Sequence, residues 1–382
     1  TMSAAYVFAL SCVTPLYARL FDRFGQARVG RLALAVQVVS MLAFAFSALV
    51  RVPIPLLFVL AIVMGLTQFS FGALVRTRWA YALRCVNDGE SLLNTAYAME
   101  AAIDEIVFIL GPILSAWLAT SVHPVSQLFV PTLACGIGGV IFFSLKSTQP
   151  PVVMKTIAIT DAQSHTVNGS GKTADLDAGD RLTIRQLKGN AKPKSALLYG
   201  GVLPLLVVFL VFNMSFTAFD VSITATMKAM GLERFLGLQL AMFAVGSCIG
   251  AVIFGSRQFK GSHWTHMVIL LGLLTIGYVG FRLTMDNLVL LGMMEVLTGL
   301  CVSPLFTSGN LIVKDLVPAE SLTEGLSWVS TAGTIGTSIG SSIGGIALDA
   351  AGPRAGMMLP WAFTLAAVPL ALVGRALARR RR

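Results

Sequence analysis

The sequence predicts an all-α polytopic membrane protein with eleven transmembrane helices. Eleven long apolar stretches divide the 382 residues, and most reach the roughly 20 residues that a helix needs to cross a bilayer. Hydrophobic residues make up 55% of the chain and charged residues 12%, a balance hard to accommodate in a soluble domain of this size. Of the 28 Lys and Arg, 23 fall in every second gap between the stretches. Basic residues close to span ends are held in the cytoplasm. Those gaps and the C-terminus are therefore expected inside, in a plasma (inner) membrane.

The expected spans are residues 1 to 18, 29 to 50, 54 to 75, 93 to 120, 125 to 145, 197 to 222, 235 to 255, 264 to 284, 287 to 312, 326 to 349 and 355 to 374. After the first comes a basic loop, Tyr17-Ala18-Arg19-Leu20-Phe21-Asp22-Arg23-Phe24-Gly25-Gln26-Ala27-Arg28. Its Asp22 can pair with Arg28 or with a neighbouring helix terminus in one conformation and release it in another. Arg19, Arg23 and Arg31 read as anchors on the cytoplasmic surface.

The span at 93 to 120 carries Glu100 and Asp104 on one face, with Glu105 adjacent. Three acids so close repel if all ionise, so at least one must keep a proton or meet Arg76, Arg78 or an arginine of the first loop. Farther along, Gly111-Pro112 is a kink site.

Residues 146 to 196 break the apolar pattern with Ser, Thr, Gln, Asp, Lys and Pro. They cannot bury a core and read as a disordered cytoplasmic linker. The expected organisation is an N-terminal half bundle at 1 to 145, the linker, and a C-terminal half bundle at 197 to 382. Asn168-Gly169-Ser170 matches a glycosylation sequon but would never meet the glycosylating machinery inside the cell. The halves resemble one another weakly: residues 93 to 118 slide onto 322 to 347 at an offset of 229, pairing Leu93 with Leu322 and Gly111 with Gly340.

In the second half, Asn213, Phe216 and Asp220 fall on one helical face. A carboxylate beside aromatic rings suits an amphipathic cation. Glu295 follows Asn287 by eight residues, or ~12 Å of helix rise, which places it near the bilayer centre. Acids within spans are functional candidates because an unpaired carboxylate costs several kcal/mol in hydrocarbon. Gly336, Gly340 and Gly344 form a ridge for close helix packing. The terminal Arg379-Arg380-Arg381-Arg382, directly after a span, is an anchor on anionic headgroups rather than a nucleic-acid patch. The five cysteines and four histidines are scattered without metal-ligand spacing, so no metal or cofactor is expected.

The loop ending in Asp22-Arg23-Phe24-Gly25-Gln26-Ala27-Arg28 resembles the signature between the second and third helices of the major facilitator superfamily. Asp22, Arg23, Gly25 and Arg28 take family positions; Ala18 replaces the leading Gly and Phe21 the small residue. The resemblance implies two six-helix halves around a central cavity, so that residues 1 to 18 would be the second helix and a first helix is expected upstream. Gly65 matches the glycine of the family's fourth-helix motif, with Ala61 where Arg is usual, and Gly111-Pro112 partly matches the antiporter motif, with Ser115 and Ala116 where glycines are usual.

By resemblance the function is proton-coupled secondary transport by alternating access, exporting a small lipophilic or cationic compound. Glu295, Asp220, Asn213, Phe216, Glu100, Asp104 and Glu105 are the expected binding or coupling residues, and Asp22, Arg23, Gly25 and Arg28 the gate. The expected partners are the small-molecule substrate, protons and the lipid bilayer, with a monomeric chain and no nucleic acid. A transporter of a sugar, nucleoside or other metabolite on the same fold and a non-transporting membrane sensor or scaffold are the alternatives. An enzyme is not expected, since the spans hold no Ser/His, metal or paired-aspartate constellation.

Overall fold

The computed structural model describes residues 2 to 151 and 194 to 379. The bulk of the expected linker, with the Asn168 sequon, and Arg380 to Arg382 lie outside the described residues.

Every element among the described residues is helical. Helix α1 (Met2–Phe24) runs into α2 (Gln26–Leu49) through Gly25, whose φ of 91° is one that a side chain rarely tolerates. The third expected span is broken. Helix α3 (Ile54–Thr67) ends at Gln68, and α4 (Phe71–Ala82) restarts where Ser70 accepts a bond from the Ala73 amide at 3.2 Å. Helix α5 (Gly89–Trp117) ends in a π-helical turn at Leu118–Val122, and α6 (Ser126–Ser144) follows.

After the linker come α7 (Val202–Ala229), α8 (Leu236–Ser256) and α9 (His263–Thr284). The next expected span is also broken, into α10 (Leu288–Gly299) and α11 (Val302–Leu316). Asn287 starts α10 by accepting from the Val289 and Leu290 amides, both at 3.1 Å. Helix α12 (Leu322–Gly356) bends at Gly352, and α13 (Leu359–Arg379) closes the described chain.

Nine helical segments among the described residues are long and apolar enough to cross a membrane, counting α3 with α4 and α10 with α11 as one each. The eleven spans expected from the sequence are thus not all met by hydropathy. Helices α1 and α12 have the length, at 23 and 35 residues, but α12 is diluted by Ser, Thr and Gly and α1 by Ser11, Thr14, Pro15 and the charged Arg19, Asp22 and Arg23.

Two main apolar cores form, beside a small cluster of Leu93 and Tyr97 from α5 with Leu311 from α11. The larger gathers α7 to α13 around Phe209, Phe212, Phe219, Met267, Tyr278 and Phe281, all at most 1% exposed. The smaller joins Phe21, Leu34, Phe69, Leu74 and Phe143 among α1 to α6. Helix α7 packs along both α12 and α13. The glycine ridge makes this possible: a Cβ at Gly336 would stand 2.3 Å from the Leu210 carbonyl oxygen, and one at Gly340 2.4 Å from that of Met214.

Candidate functional site

The site lies where α1 to α6 meet α7 to α13. Helix α1 packs on α12, and α5 packs on α8 and α11. The named polar contacts across this boundary gather at the end of the bundle that carries the arginine-rich loops. Asp22 Oδ2 accepts from the Glu324 amide at 2.9 Å, so a side chain of α1 caps the buried N-terminus of α12. Ser321, the residue preceding α12, instead donates to the Lys194 carbonyl at 3.1 Å, and Ser195 donates to Glu324 Oε1. Thr77 and Thr323 share a hydroxyl bond of 3.0 Å beside it.

A second latch joins α5 to the C-terminus of α8. Asn94 donates to the Phe254 carbonyl at 2.8 Å and Thr95 to that of Gly255. Deeper along the same pair of helices, Ser247 donates to Glu105 Oε1 at 2.9 Å and lies 2.8 Å from Ser303 of α11.

The expected gate residues separate. Asp22 reaches α12, whereas Arg23 is exposed and lies over the Phe24 ring at 5.4 Å. Arg28 is exposed, and Gly25 supplies the turn. Arg78 proves more important locally than its sequence context suggests. It is 5% exposed and holds the ends of α2, α4 and α6 together, donating to Gln26 Oε1 at 2.8 Å, to the Phe142 and Leu145 carbonyls and to Thr148, with its guanidinium 3.7 Å from the Phe142 ring centre.

The three acids of α5 divide their duties. Arg76 lies 3.3 Å from Glu100 and 2.8 Å from Asp104, so these two share one cation. Glu105 turns the other way, toward α8, and is 6% exposed. It comes within electrostatic range of Asp220 on α7. Neither carboxyl forms an ion pair with a Lys or Arg among the described residues.

The face of α7 carrying Asp220 is shared between two neighbours. Asn213 donates to its own helix at Phe209 and lies against the backbone of Gly333 and Gly336 on α12. Phe216 meets Phe243 of α8 at 5.7 Å. The three side chains therefore do not converge on one point. Gly111 has open space at its missing Cβ, and residues 111 and 112 both lie within the unbroken run of α5.

Glu295 is fully buried, and neither carboxyl oxygen has a hydrogen-bond partner among the described residues. It lies inside the larger core, between α8 and α9, rather than on the boundary between the two groups of helices. Its neighbours on α10 show this: Gly292 abuts Met242 and Gln239, Gly299 abuts the Phe243 carbonyl, and Thr298 presses on Gly277. Gln239 Oε1 and Thr298 Oγ1 are also buried and unpartnered there. An orphaned acid flanked by orphaned polar atoms is expensive in a packed core and so signals a role other than packing.

Some of these participants carried weak sequence signals. Ser321-Leu322-Thr323-Glu324 has the Ser-x-x-Glu spacing of a helix start, which marks where Asp22 binds. Ser247, Ser303, Asn94 and Thr95 carry no pattern, since a polar side chain in an apolar helix does not announce its partner.

Comparison with known proteins agrees with this arrangement. No curated protein sequence matches the chain. Among solved structures, the human organic anion transporter MFSD10 (TETRAN) superposes with a TM-score of 0.69 at 14% identity, over 97% of this chain and 82% of that one. A bacterial homologue of the iron transporter ferroportin, outward-facing with soaked iron, gives 0.69 at 16% identity over 98% and 89%. The same homologue in its outward-facing state gives 0.68 at 17% over 98% and 89%. The family profile of the Major Facilitator Superfamily matches residues 1–294 and 205–382, together the whole chain. The chain is an integral membrane transporter that belongs to the Major Facilitator Superfamily.

Proposed function

We propose that this protein is a proton-coupled secondary transporter that exports a small lipophilic cation by alternating access. The two half bundles, at 1 to 145 and 197 to 382, would rock about their shared boundary, joined by the cytoplasmic linker at 146 to 196. The observation that carries this reading is the acid balance of the interior. Glu105 and Asp220 lie within electrostatic range of one another and form no ion pair with Lys or Arg, and Glu295 is buried with no hydrogen-bond partner, all among the described residues.

The roles differ because the surroundings differ. Two carboxylates within electrostatic range repel unless a cation or a proton offsets them, which favours the region of Glu105 and Asp220 as the solute site. Phe216, packed on Phe243, supplies an aromatic wall beside it. Glu295 has no route to a solute in this conformation, so it serves as the proton carrier. An ionised carboxylate would be too costly at that position, and its proton leaves only when the helices around it part. An acidic site suits a cation better than the organic anion named for the human neighbour.

The test is accumulation of a fluorescent lipophilic cation in cells expressing the protein, its Glu295→Gln variant or its Asp220→Asn variant, with and without a protonophore. Export that is lost with the protonophore and with Glu295→Gln, and that needs more dye with Asp220→Asn, is expected. Equal accumulation in all cells would remove this solute class and favour a neutral metabolite.

A further inference from the structure

On the outer surface, away from the helix boundary just described, α2 and α6 enclose a groove of about 690 Å³. That volume falls within the range of roughly 300–1,000 Å³ typical of small-ligand pockets. Its walls are Leu34 and Val38 from α2 and Val140 and Phe143 from α6, with Gly136 leaving one wall low. Gly139 brings the helices together beneath it: a Cβ there would stand 2.5 Å from Leu34. The groove is apolar along its length, and its only cations are Arg31 and Lys146.

Both cations are exposed and lie toward the arginine-rich end of the bundle. Neither forms an ion pair among the described residues. Arg31 donates its Nε to the Ala27 carbonyl at 3.1 Å, which steadies the side chain and leaves its two terminal nitrogens for another acceptor. Ser144, whose hydroxyl donates to the Ile141 carbonyl, adds a polar group to the lining. A site with two unpaired cations and an apolar trough is complementary to a molecule with an anionic head and a hydrocarbon tail.

We infer that the groove between α2 and α6 binds an anionic phospholipid, with its phosphate held by Arg31 and Lys146 and one acyl chain laid along Val38, Gly136 and Val140. The bilayer supplies both parts of such a ligand at the depth where the groove opens. A soluble phosphate would use the cations but leave the trough empty, and a zwitterionic lipid would fill the trough but gain little from the cations. Each basic residue near a membrane surface contributes about 1 kcal/mol toward an anionic headgroup, or roughly fivefold in affinity.

The test is native mass spectrometry of the detergent-solubilised full chain, titrated with phosphatidylglycerol, phosphatidylcholine or inorganic phosphate. The protein is expected to retain phosphatidylglycerol over phosphatidylcholine and to show no retained phosphate. Arg31→Gln with Lys146→Gln should lower phosphatidylglycerol retention by roughly 25-fold. Gly136→Leu, whose Cβ would meet Val38 at an ordinary 3.5 Å, should fill the trough and lower retention of the lipid with both charges intact. Arg257→Gln with Lys260→Gln, two exposed basic residues outside the groove, should leave it unchanged. Equal retention of the two lipids, or equal loss in the Arg257 and Lys260 control, would overturn the site in favour of diffuse surface charge.

Discussion

The two latches across the helix boundary occupy matching places but use opposite chemistry. At one, a carboxylate near the end of α1 accepts from the backbone amide that begins α12. At the other, backbone carbonyls that end α8 accept from the side chains of Asn94 and Thr95 near the beginning of α5. Each uses the orphan groups of a helix terminus, which would otherwise be left unsatisfied. The first is ionisable, with burial pushing the Asp22 carboxyl up to about 8, and gains from the helix dipole once it ionises; the second is neutral and leans on close backbone packing. A boundary that must open repeatedly is thus held by one electrostatic contact and one steric contact, and the two can be weakened independently.

The largest effect is expected at the steric latch. A Cβ at Gly255 would lie 2.8 Å from that of Ala98, so Gly255→Leu must push α5 from α8. The expected cost is about 3 kcal/mol, read as a lower thermal unfolding midpoint. Next comes Asp22→Ala, which strips the cap from α12. About 2 kcal/mol should be lost, visible as roughly thirtyfold faster hydrogen exchange of the Glu324 amide, with Asp22→Asn falling between. Thr95→Ala removes one neutral hydrogen bond and should cost about 1 kcal/mol in the same midpoint. The smallest effect belongs to Lys314, which lies 3.6 Å from a Glu90 whose side chain is 80% exposed. Lys314→Gln should change the midpoint by less than about 1 kcal/mol, and added salt should erase even that. If Asp22→Ala and Thr95→Ala prove equal, the distinction between an ionisable and a neutral latch fails.

Much of this was legible in the residues. Length and hydropathy located the helices, because in hydrocarbon the backbone must satisfy itself and a long apolar run has no other stable form. Asp22 was recognisable because its loop resembles the family signature between the second and third helices. The chain break at Leu300 and Cys301 lies between Gly299 and Pro304, a signal that the hydropathy of the span overrode, whereas the one at Gln68 to Ser70 was not visible, since it contains no Pro or Gly to mark it. Tertiary packing overrides the local preference there: Phe69 is turned into the cluster with Phe21, Phe71 and Phe143.

The same limit governs the acids. Sequence spacing put Glu100, Asp104 and Glu105 together but could not say that Arg76 would take the first two and leave the third to α8. It placed Glu295 at mid-depth, but whether that depth faced a cavity or a core depended on which neighbours packed around α10. Only the contacts of Gly292, Thr298 and Gly299 decide that question.

The paired breaks, between α3 and α4 and between α10 and α11, have a mechanical meaning. A continuous hydrogen-bond ladder makes a helix behave as a stiff rod, and interrupting the ladder concentrates bending compliance at that point. Beyond the first break, α4 is tied by Arg76 to α5 and by Arg78 to α2 and α6, while α3 is tied to α2 through Gln68 with Gln37 and Thr67 with Ser40. A span divided in this way can flex like a jointed limb. Its inner segment can travel with one set of neighbours while its outer segment stays with another, so neither end of the pathway needs the whole rod to swing.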